Sequence, residues 1–325
     1  MSKQIYNRIY TKKKWEEVCK YNKDLMEDYL LELKSNKKTE DTIKQYRNDL
    51  RIVFIYILEE LDNKPIYKLK KKHFRNYKLW MQEKNMSASR INRLLAPLKG
   101  MLEYATNEED YEDEIEINYA SKVKGVQKEK ARDIVFLTDE EIDIIYTKLI
   151  EKKKYSQALL CALMYDSAAR RKEAYQVKRS DLSVDGKISE SYVIGKRGKK
   201  YRPIYHDKTR QAYALLVETL DESIEDIWIT NRNSKASYES LYAWVVSWRK
   251  ILEKATGEYK EFNPHSFRHS ALENYSDGSH YAIKEKGKKL SLTTLQILAN
   301  HSDISTTQSY LKDKSEDTLL EEFDI

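Results

Sequence analysis

Cysteine is nearly absent from this sequence: Cys19 and Cys161 are the only two in 325 residues. Two thiols so far apart supply neither a disulfide framework nor a set of zinc ligands, so the fold must rest on apolar cores. The expectation is a reduced, cytosolic chain. Proline (4) and glycine (8) are also scarce, and so few breakers favour helices. Long hydrophobic runs are missing. The longest, "ALLCALMY" from Ala158 to Tyr165, falls far below the roughly 20 residues that a membrane helix needs. The opening stretch "MSKQIYNRIYTKKKW" has no apolar core region and does not read as a secretory signal. No membrane partner is expected.

What the sequence has in quantity is charge. Charged residues make up 34% of it, and the net charge is +6. The distribution is uneven: residues 1–108 carry 24 Lys+Arg against 15 Asp+Glu, whereas Glu108 to Glu116 ("EEDYEDEIE") holds seven acids in nine residues. Asp313 to Ile325 adds six acids against one lysine. A basic body with segregated acidic patches suits a nucleic-acid binder, although a lysine-rich surface also serves solubility alone.

The length fits about two domains. The first hundred residues read as four helices around one core. Leu25, Tyr29 and Leu33 recur at helical spacing; Thr39 is a plausible N-cap for "EDTIKQYRNDLRIVFIYILEEL"; Phe74, Tyr77 and Trp80 mark a third helix. Ser87 can cap a fourth, whose stripe is Ile91, Leu94, Leu95, Leu98 and Leu102, with Pro97 a candidate kink. The acidic stretch and "SKVKGVQKEKARD" break the periodicity and read as a linker. Order resumes with a capping box, Thr138 to Glu141. Between Arg179 and His206 the period changes, with turn signals at Asp185-Gly186 and Gly198, so a small antiparallel sheet is expected. The expected fold class is mainly α with that small sheet. Expected boundaries are 1–120 for a helical domain, 121–132 for the linker and 133–325 for a second domain.

Several reactive side chains follow in order: Arg170 in "DSAARRKEA", Lys196 in "VIGKRGKKYRPI", His265 and Arg268 in "PHSFRHS", then His301 and Tyr310 in "HSDISTTQSY". Each is weak alone, and with 25 tyrosines a packing role for Tyr310 is the bland alternative. Together they resemble the tyrosine recombinase, or phage integrase, family. The family pattern is an Arg in a T-G-x-R-x-x-E-like turn, a hairpin Lys, H-x-x-R, a His in L-G-H and a Tyr nine residues later. The resemblance spans nearly the whole chain. It implies an N-terminal helical core-binding (SAM-like) domain and a C-terminal catalytic-type domain.

It also implies a chemistry. Tyr310 would attack phosphorus and form a 3′-phosphotyrosine link. Arg170 and Arg268 would stabilise charge on the non-bridging oxygens, since each guanidinium offers a fork of donors. His265 and His301 would donate hydrogen bonds or move a proton, Lys196 would protonate the departing 5′ oxygen, and Glu173 would orient Arg170. No metal or cofactor is called for. The partner would be double-stranded DNA, met in the major groove by basic helices carrying Lys44, Arg47, Arg51, Arg90 and Arg93. Self-association on DNA would use the C-terminal segment, where Leu319, Leu320 and Phe323 form an apolar edge. A phage or mobile-element origin implies the cytoplasm of a bacterial host.

The match departs from the pattern in places. Ala168 and Ala169 stand where the family has Gly and Leu, and Asn300 replaces the Gly of L-G-H. The hairpin is about one residue short, which leaves Lys199 or Lys200 as alternatives to Lys196. Ser276 to Leu290 is an insertion that reads as a polar loop. These departures, with a resemblance to the recombinase-fold repressors of SPβ-type Bacillus prophages, keep a second function open: a DNA-binding transcriptional repressor without recombinase activity.

Overall fold

The computed structural model describes residues 9–127 and 134–312, apart from the Arg197 side chain. The chain divides into two compact units, Met1–Arg132 and Asp133–Ile325.

The first unit is helical. Its elements are α1 (Lys12–Glu17), α2 (Lys20–Ser35), α3 (Glu40–Glu60), α4 (Lys71–Glu83) and α5 (Ala88–Ala105). The short α1 is additional to the four helices that periodicity predicts. Thr39 and Ser87 cap α3 and α5 as expected, each hydroxyl accepting from the backbone N–H three residues on. Pro97 lies within α5, and the helix runs through it. Leu25, Leu50, Phe54, Leu94 and Leu98 are fully buried at the centre of the unit.

The acidic stretch is not a linker. Tyr111 and Ile115 insert into the core, as do Ala120 and Val123 farther on. The Tyr111 hydroxyl donates to Asp28. Beyond it, Asn92 of α5 clamps Val126, accepting from its N–H and donating to its C=O, both at 2.8 Å. Two apolar residues hidden among seven acids lacked the periodicity that would have revealed them.

The second unit contains α6 (Asp139–Glu151), α7 (Tyr155–Asp166), α8 (Arg171–Ala174), α9 (Asp207–Val217), α10 (Tyr238–Thr256), α11 (Pro264–Asp277), α12 (Tyr281–Lys284), α13 (Leu292–Leu298) and α14 (Ile304–Gln308). The Thr138–Glu141 capping box starts α6. Every residue of α7 after Tyr155 is buried, as its unbroken apolar run requires. The expected sheet is one antiparallel pair, β1 (Val193–Ile194) with β2 (Lys200–Tyr201), extended by an isolated bridge between Ile188 and Ile204.

The insertion is a packed segment rather than a loose polar loop. His280 is fully buried between the rings of Tyr165 (4.1 Å between centroids) and Tyr275 (3.7 Å). Tyr281, which opens α12, donates to the buried Asp166 carboxylate at 2.7 Å. Its polar composition concealed these two anchors. No helix is long and apolar enough to cross a membrane among the described residues.

Candidate functional site

Several separate elements of the second unit carry the reactive groups. Arg170 is the N-cap of α8, immediately after a tight turn in which Ala168 has φ +50°. A non-glycine residue there adopts the left-handed conformation at some cost. Asn300 has the same φ, +50°, in the turn before His301. Both backbone turns are therefore made without glycine, and Asn is among the residues that tolerate them best.

Helix α11 begins with Asn263 as its cap and Pro264 in the first turn. Its spacing places His265, Arg268 and His269 on one face, since residues three and four apart are neighbours. Arg268 is fully buried. Its Nη1 donates to the Ala168 carbonyl at 2.6 Å, and its Nη2 donates to the Ala299 carbonyl and lies 2.8 Å from His301 Nε2. The Glu173 carboxylate is 3.8 Å away. Arg268 thus ties the Ala168 turn, the Ala299–His301 turn and α11 together.

Glu173 is the second hub. Its carboxylate accepts from the Arg170 backbone N–H (2.7 Å), Arg170 Nη1 (2.9 Å) and the Tyr201 hydroxyl (2.8 Å). Arg170 keeps 25% of its side chain exposed and faces an open cleft of ≈ 520 Å³, lined also by Lys196, His265, Asn300, His301, Asp303, Thr306 and Tyr310. Lys196 sits in the turn between β1 and β2; Lys199 and Lys200 do not line this cleft.

Tyr310 is docked in its own chain's cleft. Its ring stacks on His269 at 4.2 Å, meets His265 edge-on at 5.1 Å and approaches His301 at 4.9 Å. The Arg268 guanidinium carbon is 5.3 Å from the ring centroid. His269 Nδ1 donates to the Tyr310 carbonyl at 3.0 Å, and the Lys312 N–H donates to Glu273 at 2.9 Å. Asp303 caps α14, accepting from the Ser305 N–H at 2.8 Å. Asp303 is in extended backbone, as an N-cap usually is.

Because a guanidinium only donates, His301 Nε2 is the bare nitrogen. Its Nδ1 therefore carries the hydrogen, aimed at Thr307 Oγ1 at 3.0 Å. Desolvation, then Arg268 and Arg170, lower the His301 pKa to about 3, so it is neutral at physiological pH. His265 is lowered to about 4, first by desolvation among its neighbours and then by His269, Arg268 and Arg170. It opens to the cleft, where solvent screens much of any cost, so the effect on stability falls on buried His301.

The unfolded state takes up a His301 proton near pH 6.5, whereas the folded state holds out to about 3. Stability is complete above 6.5 and declines as pH falls towards 3, by about 2 kcal/mol at pH 5. Urea midpoints at pH 7.5 and pH 5 check this, with His301→Asn expected to shrink the difference by about 2 kcal/mol and the remainder left to His280, His269 and His206, whose pKa burial also lowers. An unchanged slope in that variant would mean the acid sensitivity lies elsewhere.

The residues expected to meet DNA in the first unit differ from one another. Arg90 is only 10% exposed and pairs with the fully buried Asp49 at 2.8 Å; Arg93 reaches the same carboxylate at 3.5 Å but stays 44% exposed. Arg47 pairs with Glu27 at 2.9 Å. Arg51 stacks over Trp15 at 5.3 Å. Lys44 is exposed. Sequence spacing places all five on α3 and α5 but does not reveal that Arg90 is held by a buried acid.

Sequence reasoning missed Tyr201, His269 and Thr307. His269 adjoins Arg268 in "SFRHS", so its place on the same helical face was available as a signal; Tyr201 and Thr307 gave none. Leu319, Leu320 and Phe323 lie outside the described residues. No group of His, Cys, Asp and Glu is arranged to hold a metal among the described residues.

A tyrosine seated in a cleft with an arginine, a lysine and neutral histidines suits displacement at a phosphodiester. Residues 135–317 match the phage integrase family model, and residues 26–109 match the phage integrase N-terminal SAM-like domain. With more than half its length matched by the first model, the chain belongs to the phage integrase family. Among relatives, the SPbeta prophage-derived recombinase-like protein YomM of Bacillus subtilis is 23% identical, over 91% of this chain and 89% of its own. The tyrosine recombinase XerC of Staphylococcus saprophyticus is also 23% identical, over 88% and 91%. In fold the chain is similar to a lambda integrase dimer bound to a COC′ core site (TM-score 0.66, 19% identity, 90% of this chain and 77% of that one). It is equally similar to the Tn1549 transposon integrase in complex with circular intermediate DNA (0.66, 17%, 92% and 98%).

Proposed function

We propose that this protein is a site-specific DNA recombinase that binds double-stranded DNA and cuts and rejoins it through a 3′-phosphotyrosine. One observation carries the reading: Tyr310 is seated in the same cleft as Arg170, Lys196 and His265 within a single chain. The Tyr310 oxygen forms a bond to phosphorus and the P–O5′ bond breaks. The phenolic proton passes to His265, which is neutral at pH 7. Lys196 gives a proton to the departing 5′ oxygen. A 5′-hydroxyl then attacks the phosphotyrosine in the reverse sense, so bond energy is kept without ATP.

Arg170 holds the phosphate, and its remaining donors face the cleft. Arg268 and His301 act through others. The terminal Arg268 nitrogens, Nη1 and Nη2, are turned to carbonyls and His301, so both are positioning residues in this reading.

The test uses duplexes selected by the protein from a random pool and nicked near the candidate cleavage point. Denaturing gels and peptide mass spectrometry should show DNA attached at Tyr310. Tight binding with no adduct on any nicked substrate would reject the enzyme reading and leave the transcriptional repressor.

In the first unit, Lys44 and Arg93 are the solvent-facing candidates for phosphate contact. Replacing both with alanine is expected to weaken binding to all sequences alike and to reduce the slope of log K against log salt by roughly two. An unchanged slope would move the DNA contact to another face. Self-association on DNA through Leu319, Leu320 and Phe323 belongs to the same reading. It is supported by the dimeric and tetrameric lambda integrase complexes and is tested by deleting residues 319–325.

A further inference from the structure

The hairpin that carries Lys196 is held by very little of its own. Next to the turn its two strands are two residues each, paired Val193 with Tyr201 and Ile194 with Lys200, with a bond from the Gly195 N–H to the Lys199 carbonyl at 2.7 Å; the other bonds between the arms lie farther off, around the Ile188–Ile204 bridge. Isolated hairpins are marginal in water even when longer. Lys196, Lys199 and Lys200 are exposed, so the turn itself carries no apolar anchor, the nearest being buried Val193 on β1. A proton donor must nevertheless stay within hydrogen-bond reach of the leaving oxygen.

The steadying contact comes from Gln176, just beyond α8. Its Oε1 accepts from the Ile194 N–H at 2.8 Å, and its Nε2 donates to the Ile194 carbonyl at 3.0 Å. The same Nε2 donates to the Lys172 carbonyl at 2.8 Å, which fixes the amide's orientation. The side chain thus pairs with the edge of β1 as another strand would, two residues from Lys196. On the other strand, Tyr201 is tied to Glu173. Gly195 between them sits so close that a Cβ there would come within 3.0 Å of Glu173 Oε1. Both strands are therefore moored to the short segment that also presents Arg170.

We propose that Gln176 is a positioning residue for Lys196: its amide clamps both backbone groups of Ile194 and so holds the hairpin turn over the cleft. The inference rests on the recombinase reading, in which Lys196 protonates the leaving 5′ oxygen. Gln176 touches no reacting atom, and its effect should appear only where that proton matters.

The experiment compares two nicked substrates, one ordinary and one with sulfur in place of the bridging 5′ oxygen. When the P–S bond breaks, the sulfur leaves with the electron pair as a thiolate, whose conjugate acid has a pKa of about 8.5, so it needs no proton donor. Gln176→Met keeps length and removes the clamp. It is expected to slow adduct formation on ordinary DNA by roughly 10- to 100-fold, the scale of about 1 Å of misplacement. On the sulfur substrate it should run within about twofold of wild type. Lys196→Ala should show the same contrast. Equal loss on both substrates, or no loss on ordinary DNA, overturns the proposal. If Gln176→Met binds DNA more weakly than wild type, Gln176→Glu, which keeps the bond to the Ile194 N–H, carries the same comparison. Hydrogen exchange at the Ile194 amide reads the clamp independently of catalysis and should quicken at least tenfold in Gln176→Met; unchanged exchange overturns the clamp. Wild-type protein that forms no adduct on either substrate would instead reject the recombinase reading, while the exchange result still decides the clamp.

Discussion

Tyr310→Phe is expected to bind DNA within about twofold of wild type and to lose covalent adduct by at least roughly 10³-fold. The two effects separate because of how the residue is seated. The bonds that hold it use its backbone: its carbonyl accepts from His269, and its N–H donates to the Thr307 carbonyl. The ring supplies the rest, through stacking on His269 and the Arg268 guanidinium. Phenylalanine keeps all of these, so stability should change by less than about 0.5 kcal/mol. What it lacks is the oxygen that forms the bond to phosphorus. Gel shifts and denaturing gels on the same mixtures measure both quantities. A Tyr310→Phe protein that still captures nicked DNA would place the nucleophile elsewhere.

Arg268→Ala is expected to lower stability by roughly 3–5 kcal/mol, because it strands buried partners rather than merely removing a contact. Two carbonyls, at Ala168 and Ala299, lose their donor, and the Glu173 carboxylate loses a nearby cation. Lysine is no remedy: one ammonium cannot reproduce a planar fork aimed at two carbonyls and an imidazole. Arg170→Ala should behave differently. Its side chain is a quarter exposed and faces the cleft; buried Glu173 loses its 2.9 Å partner but keeps the residue-170 backbone N–H, the Tyr201 hydroxyl and nearby Arg268, so fold stability should fall by less than in Arg268→Ala, roughly 1–2 kcal/mol, while DNA binding weakens by roughly 1–3 kcal/mol. Urea midpoints and binding titrations of the two variants distinguish them. An Arg268→Ala protein with the wild-type midpoint would show that the buried network does not hold the unit together.

The family belongs to what the sequence determines by itself. Reactive groups at fixed separations, from Arg170 to the "HSDISTTQSY" stretch, survive as a pattern because the chemistry tolerates few substitutes. The N-caps of α3 and α5, the capping box of α6 and the apolar spacings of α2 and α5 were equally legible, since caps and helical periodicity are local physics. Positive φ was foreseeable at Asn300, where a family glycine is replaced by the residue that best tolerates it.

Burial and partner choice were decided only in three dimensions. Nothing local says that Arg90 answers a buried Asp49, or that Arg268 turns its donors inward while Arg170 keeps the cleft. Nor does it say that His280 anchors a polar insertion between two tyrosines. Tyr111 and Ile115 are core residues inside an acidic run, where charge hides them. Gln176 is an ordinary polar residue in sequence, and only the arrival of the β1 edge beside it makes a clamp. Each of these depends on groups brought together from distant parts of the chain, and desolvation, which sets their charge states and energies, exists only once that has happened.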